Sequence, residues 1–214
     1  MGGHGTHGAM RDPLNRFAEV RAETLAKIAP LSQAQLDFSP RPGRWSIGEV
    51  ADHLRLSELL WRDEIGRLVA LARAGRPARL KHTFAEINVS PLHMPDAVLS
   101  VLEVPFGFMN RFVPDAVIGL MTEFPILPTR NPDAATPRAR RPAAELAADL
   151  EAAIAETRRL IDANVDLDFE RMSSEHPLMG SNTAPQILGF LARHERRHQG
   201  QMDGVRADAR FPRT

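Results

Sequence analysis

Between Ser46 and Ala74 the chain carries one uninterrupted helical pattern with a start signal and a stop signal at its ends. Ser46-Ile47-Gly48-Glu49 spells a capping box. The serine hydroxyl accepts from the N–H of Glu49, and the glutamate carboxylate accepts from the N–H of Ser46. Trp45, just before it, is placed to staple onto Val50, and Gly75-Arg76-Pro77 ends the helix. Ile47, Val50, Leu54, Leu60, Trp61 and Leu68 recur at helical spacing and form its inner face. A helix with one long apolar stripe needs other elements to cover it.

Three further stretches read as partners. Residues 12–35 place Leu14, Phe17, Val20, Leu25 and Ile28 at three- and four-residue steps before Pro40, Pro42 and Gly43 break the chain. Residues 142–163 open on Pro142, which suits a first helical turn, and carry Leu146, Leu150, Ile154 and Ile161. Residues 183–207 begin with a second capping box, Thr183-Ala184-Pro185-Gln186, and continue through Ile187, Phe190, Leu191, His194, His198 and Met202. No stretch alternates like a strand. The expected class is all-α, a four-helix bundle with a long proline-rich crossover between helices two and three. The expected organisation is a flexible tail over 1–11, a single domain over 12–207 with a crossover insert at 91–142, and a second tail over 208–214.

The crossover holds nine of the 17 prolines, two Pro-Asp-Ala-Val helix starts at Pro95 and Pro114, and Phe106, Phe108, Phe112 and Phe124. Burying a Phe side chain is worth roughly 1.5–3 kcal/mol, so these rings are expected to cover a pocket mouth or to form a homodimer contact.

Composition narrows the function. Lys+Arg is 27 and Asp+Glu is 27, a balance unsuited to gripping nucleic acid. With no cysteine, thiolate metal sites, disulfides and cysteine nucleophiles are excluded, and any metal needs nitrogen or oxygen ligands. No segment approaches the roughly 18 apolar residues of a membrane span, and the first thirty residues lack a signal-peptide pattern. The expectation is a soluble, cytoplasmic protein acting on a small molecule.

His194-Glu195-Arg196-Arg197-His198 carries the strongest chemistry. Two histidines four apart on a helix stand one turn above each other and can reach one metal ion. Ile187, Phe190 and Leu191 share their face, which therefore points inward. The letters also spell the HExxH signature of zinc proteases. Gln201 and Gly204 stand where the extended form of that signature needs Gly and His, and no glutamate follows Glu195 to complete a ligand set. A third ligand then comes from another helix. His53 lies between Val50, Leu54, Ser57 and Leu60, so it too faces inward. Each histidine taken singly reads as a hydrogen-bonded core residue, whereas one three-histidine metal site accounts for all three economically.

These residues carry a family resemblance. Trp45-Ser46-Ile47-Gly48-Glu49-Val50-Ala51-Asp52-His53-Leu54 resembles the W-S-x-x-E-x-x-x-H-L signature of the DinB-like superfamily. His176-Pro177, then Phe190 through His194-Glu195-Arg196-Arg197-His198 and Gln201, resembles its C-terminal block. The resemblance implies an up-down-down-up four-helix bundle and a divalent metal, zinc or nickel, on His53, His194 and His198. It also implies chemistry of the kind found in relatives: transfer of a low-molecular-weight thiol to an electrophile, or hydrolysis. Three neutral imidazoles leave the ion's charge available to activate a thiol or water, and a chain without cysteine needs its thiolate from a co-substrate. His176 is expected as a proton shuttle or a donor near the site, Glu195 as an orienting partner and Gln201 as a substrate contact. The competing expectation is a non-catalytic, metal-carrying stress-response or interaction protein.

Overall fold

The computed structural model describes residues 6–83, 135–176 and 180–213. Five helices appear in it: α1 (Thr6–Ile28), α2 (Gln33–Asp37), α3 (Ile47–Arg73), α4 (Ala143–Asp162) and α5 (Ala184–Arg206). Three short strands join them: β1 (Arg79–Lys81), β2 (Ser173–His176) and β3 (Gly180–Thr183), with a 3-10 turn at Phe169–Arg171 before β2. The structure is mostly helical. None of these helices is long and apolar enough to cross a membrane.

Both expected capping boxes form. Ser46 N–H donates to Glu49 Oε2 at 2.8 Å and Glu49 N–H to Ser46 Oγ at 3.2 Å, while Thr183 N–H donates to Gln186 Oε1 at 2.8 Å. Local chemistry therefore starts α3 and α5 where the sequence says.

The first helix departs from expectation at both ends. It begins at Thr6 rather than at residue 12, and Met10, assigned to a flexible tail, is 2% exposed and packs with Leu14, Phe17 and Val20. Met10 extends the same stripe by one turn. The helix ends at Ile28 rather than residue 35 because Pro30 disfavours the helical conformation at Ala29 and has no N–H to continue the ladder. Residues 33–37 re-form as α2 behind their own capping box of Ser32 and Gln35. The expected C-terminal tail is also docked: Phe211 meets the Phe38 ring edge-on at 5.6 Å, and Gln35 Nε2 donates to the Pro212 carbonyl at 3.0 Å.

The strands are the other addition. β2 lies between β1, which it pairs in parallel, and β3, which it pairs antiparallel. Their sequences, RLK, SSEH and GSNT, are too short and polar to show alternation. They form because β1 follows α3 and the β2–β3 hairpin precedes α5, so packing of the helices brings them side by side. The expected helices at Pro95 and Pro114, and the phenylalanines 106, 108, 112 and 124, lie outside the described residues.

Helix α1 packs against α5 and α4, and α3 packs against α4 and α5. Their apolar faces make two clusters. One joins Met10, Phe17, Leu68, Ile161 and Leu188; the other joins Ile28, Val50, Leu54, Leu150 and Met202. Along each long helix a polar layer separates them: Arg21 and Thr24 on α1, His53, Ser57 and Glu58 on α3, Thr157 on α4, and His194, Glu195, His198 and Gln199 on α5. The three inward histidines of the sequence reading sit in that layer.

Candidate metal centre

The three histidines predicted to converge do so. Their ligand nitrogens all lie within 4.8 Å of one another. His194 Nε2 is 3.4 Å from His53 Nε2 and 3.2 Å from His198 Nε2. A tetrahedral ion with nitrogen bonds of about 2.05 Å sets its ligands about 3.3 Å apart, so the spacing fits such an ion.

The outer ring nitrogens set the tautomers. His53 Nδ1 faces the Ala135 carbonyl at 2.8 Å, and His198 Nδ1 faces Gln201 Oε1 at 2.9 Å. Both oxygens only accept, so each Nδ1 carries the proton and each Nε2 presents a lone pair inward. A proton on His194 Nε2 serves one of those lone pairs at a time, whereas a cation serves all three. Bonding of the outer nitrogen to a carbonyl or amide oxygen is how metal-binding histidines are held in orientation.

Burial keeps the rings neutral. It lowers the His53 pKa from its ordinary value. It lowers that of His194 well below ordinary, with the neighbouring His198 and His53 adding to the effect. The His198 value falls to about 3, again through burial and then His53. Aromatic rings wall the centre. Trp45 lies 4.8 Å from the His53 ring and 6.4 Å from that of His198, and Phe190 stacks on His194 at 5.5 Å. Trp45, expected as a helix staple, thus also lies against two of the three histidines.

The remaining predicted residues separate. Gln201 joins the centre, through His198. Glu195 turns away, buried to 1% exposure, and takes a two-pronged hydrogen bond from Arg21, Nε to Oε1 at 2.8 Å and Nη2 to Oε2 at 2.9 Å. Arg21 Nη1 also donates to Glu58 Oε2 at 2.7 Å, and the Thr157 hydroxyl donates to Glu58 Oε1 at 2.7 Å. Glu195 therefore holds α5 against α1 and α3, which fixes the rotation of the histidine face. His176, at the end of β2, stands beyond two aromatic rings. Its ring is 6.2 Å from Trp61, Trp61 is 5.6 Å from Phe190, and Phe190 borders His194. Glu64, too far along α3 for the metal, accepts from His82 Nε2 at 2.6 Å and Ser174 Oγ at 2.5 Å.

Sequence reasoning missed the segment that holds His53. Asp52, fully buried, accepts from the Arg138 N–H at 2.8 Å, Arg141 Nη1 at 2.8 Å and Arg55 Nε at 3.1 Å. Burial alone would raise the Asp52 pKa, but these three donors outweigh it and lower the value. Asp52 thereby straps residues 135–141 across α3 and delivers the Ala135 carbonyl to His53. A backbone carbonyl has no sequence signature. The adjacent Asp52-His53 pair was the one legible hint, since a carboxylate on an inward face needs donors.

His176 makes the fold sensitive to acid. Burial, then the neighbouring His82, pushes its pKa down to about 4. In the unfolded chain the value is about 6.5. Below that pH the unfolded state takes up a proton that the folded state refuses, so stability falls as pH drops from about 6.5 towards 4, by up to about 1.4 kcal/mol per unit. Urea unfolding at pH 7.5, 6 and 5 should show this decline, with a shallower slope in His176→Asn. Equal slopes in the two proteins would refute the assignment.

Curated proteins and solved structures provide no match to this chain. A family model of the DinB superfamily matches residues 16–202, a span that contains His53, His194 and His198, and the chain belongs to that superfamily.

Proposed function

We propose that this protein is a metal-dependent enzyme in which His53, His194 and His198 hold a divalent ion, zinc or nickel, and which transfers a low-molecular-weight thiol to an electrophile or hydrolyses a small substrate. The observation that supports this most is the convergence of three histidine nitrogens, with the outer nitrogens of His53 and His198 already bonded to oxygens so that their inner nitrogens present lone pairs. Family membership points the same way. The proposed frame is an up-down-down-up four-helix bundle of α1, α3, α4 and α5, with the proline-rich stretch before α4 as its crossover.

When bound, the ion supplies the positive charge that makes a thiol or water nucleophilic near neutral pH. The chain does the rest. Three neutral imidazoles leave that charge undiminished. The Ala135 carbonyl and Gln201 hold the rings in orientation, and Trp45 and Phe190 keep bulk water from two sides. No side chain here can serve as the thiol, because the chain has no cysteine. The thiol is therefore a co-substrate.

Metal analysis of the purified protein, followed by turnover assays pairing small thiols or water with activated electrophiles, tests the reading. Metal-dependent turnover that disappears in His198→Ala is the expected result. A loaded protein inert towards every pair would favour the non-catalytic metal-carrying alternative.

A further inference from the structure

Beside the histidine centre lies a cleft of about 490 Å³ between the loop that precedes α3 and the end of α5. Trp45 and Gln201 form part of its wall, and both also touch the histidines. The cleft and the centre are therefore one residue layer apart. Arg41, Arg44 and Arg210 line the same space.

The chain builds this arrangement deliberately at the level of a turn. Arg41-Pro42-Gly43-Arg44 closes with the Arg44 N–H donating to the Arg41 carbonyl at 3.1 Å, and Gly43 has φ +76°. Proline second and a positive-φ glycine third make a type II turn, which holds its first and last Cα atoms within about 7 Å. The turn thus sets the backbones of the two arginines close together at the cleft. The acid in the wall does not cancel them. Asp208 is engaged by Arg210, with Oδ1 accepting from Nε at 3.0 Å and Oδ2 from Nη2 at 2.9 Å. Among the described residues neither Arg41 nor Arg44 has a carboxylate partner in an ion pair. Among the described residues, the cleft thus keeps two guanidinium groups without a carboxylate partner, in a wall that also holds the indole of Trp45.

We propose that this cleft is a binding site for the oxyanion, carboxylate or phosphate, of a small organic substrate whose apolar part rests on Trp45 and extends towards the histidine centre. Guanidinium groups pair with both oxyanions through two parallel N–H donors. The reacting end of that substrate rests on the metal-enzyme reading above; the anion site does not.

Full-length zinc-loaded protein is titrated with benzoate, phenyl phosphate and the neutral benzamide, followed by calorimetry and tryptophan emission. Benzoate or phenyl phosphate should saturate and benzamide should not, and the tighter of the two anions names the oxyanion. Arg41→Ala with Arg44→Ala should weaken the anion by roughly tenfold or more while the protein keeps its metal. Gly204→Leu gives a second variant free of charge changes. Gly204 lines the cleft, and a Cβ there meets nothing within 4 Å, so a side chain has room to enter, with circular dichroism as the control for folding. It should block binding equally. Undiminished affinity in both variants, equal binding of benzamide, or no saturable binding would overturn the proposal. His53→Ala separates the two readings. Retained anion binding with lost metal supports both, loss of anion binding places the probe on the metal and overturns the cleft, and retained metal defeats only the assignment of His53 as a ligand.

Discussion

His53→Ala is expected to lose the metal almost completely, with affinity down by at least about a hundredfold, while the helices remain folded. Disturbing only the groups around a metal's ligands costs about ten- to a hundredfold, and removing one of three ligands should exceed that. His53 is the decisive choice because it is the one histidine of the three that comes from α3. His194 and His198 sit one turn apart on α5 and would still face each other without it. Metal content after dialysis against a competing chelator, with circular dichroism as the control for folding, measures the effect. Full retention of the ion would mean that a different third ligand completes the site. Protons compete for the same nitrogens, so wild-type affinity should also fall on acidification.

The largest expected effect on stability belongs to Arg21. Its guanidinium is 1% exposed and satisfies Glu195 and Glu58 together, with a further bond from Nη1 to the Leu150 carbonyl at 2.9 Å. Burial works against the Arg21 charge, but Glu195 and Glu58 more than compensate and raise its pKa. Burial pushes the Glu58 carboxyl up, only partly offset by Arg21 and Thr157. Arg21→Ala would leave two buried carboxylates facing each other without a cation. Breaking a buried ion pair from one side costs about 3–5 kcal/mol. That is a large share of a domain's total of roughly 5–15 kcal/mol. Glu58→Gln should cost much less, since it removes one of two like charges and keeps the shape. Urea midpoints of both variants test this asymmetry. Equal losses, or a loss under about 1 kcal/mol for Arg21→Ala, would contradict the assigned role of the network.

Much of this molecule can be read along the chain. The starts of α3 and α5 follow from four-residue capping patterns, and their inner faces largely from spacing, although Leu60, read as inward on α3, is 40% exposed. The histidine site follows from those faces, because a residue's position on a helix is set by its neighbours within a turn or two. Pro30 was equally legible, and it ends α1 where an apolar stripe taken alone runs on to Leu31. Met10 extends that stripe at the other end, hidden among glycines and histidines that look like a tail.

What could not be read involves partners far apart in sequence. Glu195 occupies the motif position next to His194, yet its partner is Arg21 on α1, chosen by how the helices pack. The Ala135 carbonyl that sets the His53 tautomer has no side-chain identity. The three strands have no alternation, because their register comes from helices that bring chain ends together. The arginines at the cleft look like any solvated charges until α5 and the segment after it place Gln201 and Arg210 in the same cleft wall. Caps, breaks and faces are short-range consequences of residue type. A salt-bridge partner, a carbonyl contact or a cleft depends on long-range packing, which many sequences satisfy in different ways and which no local pattern encodes.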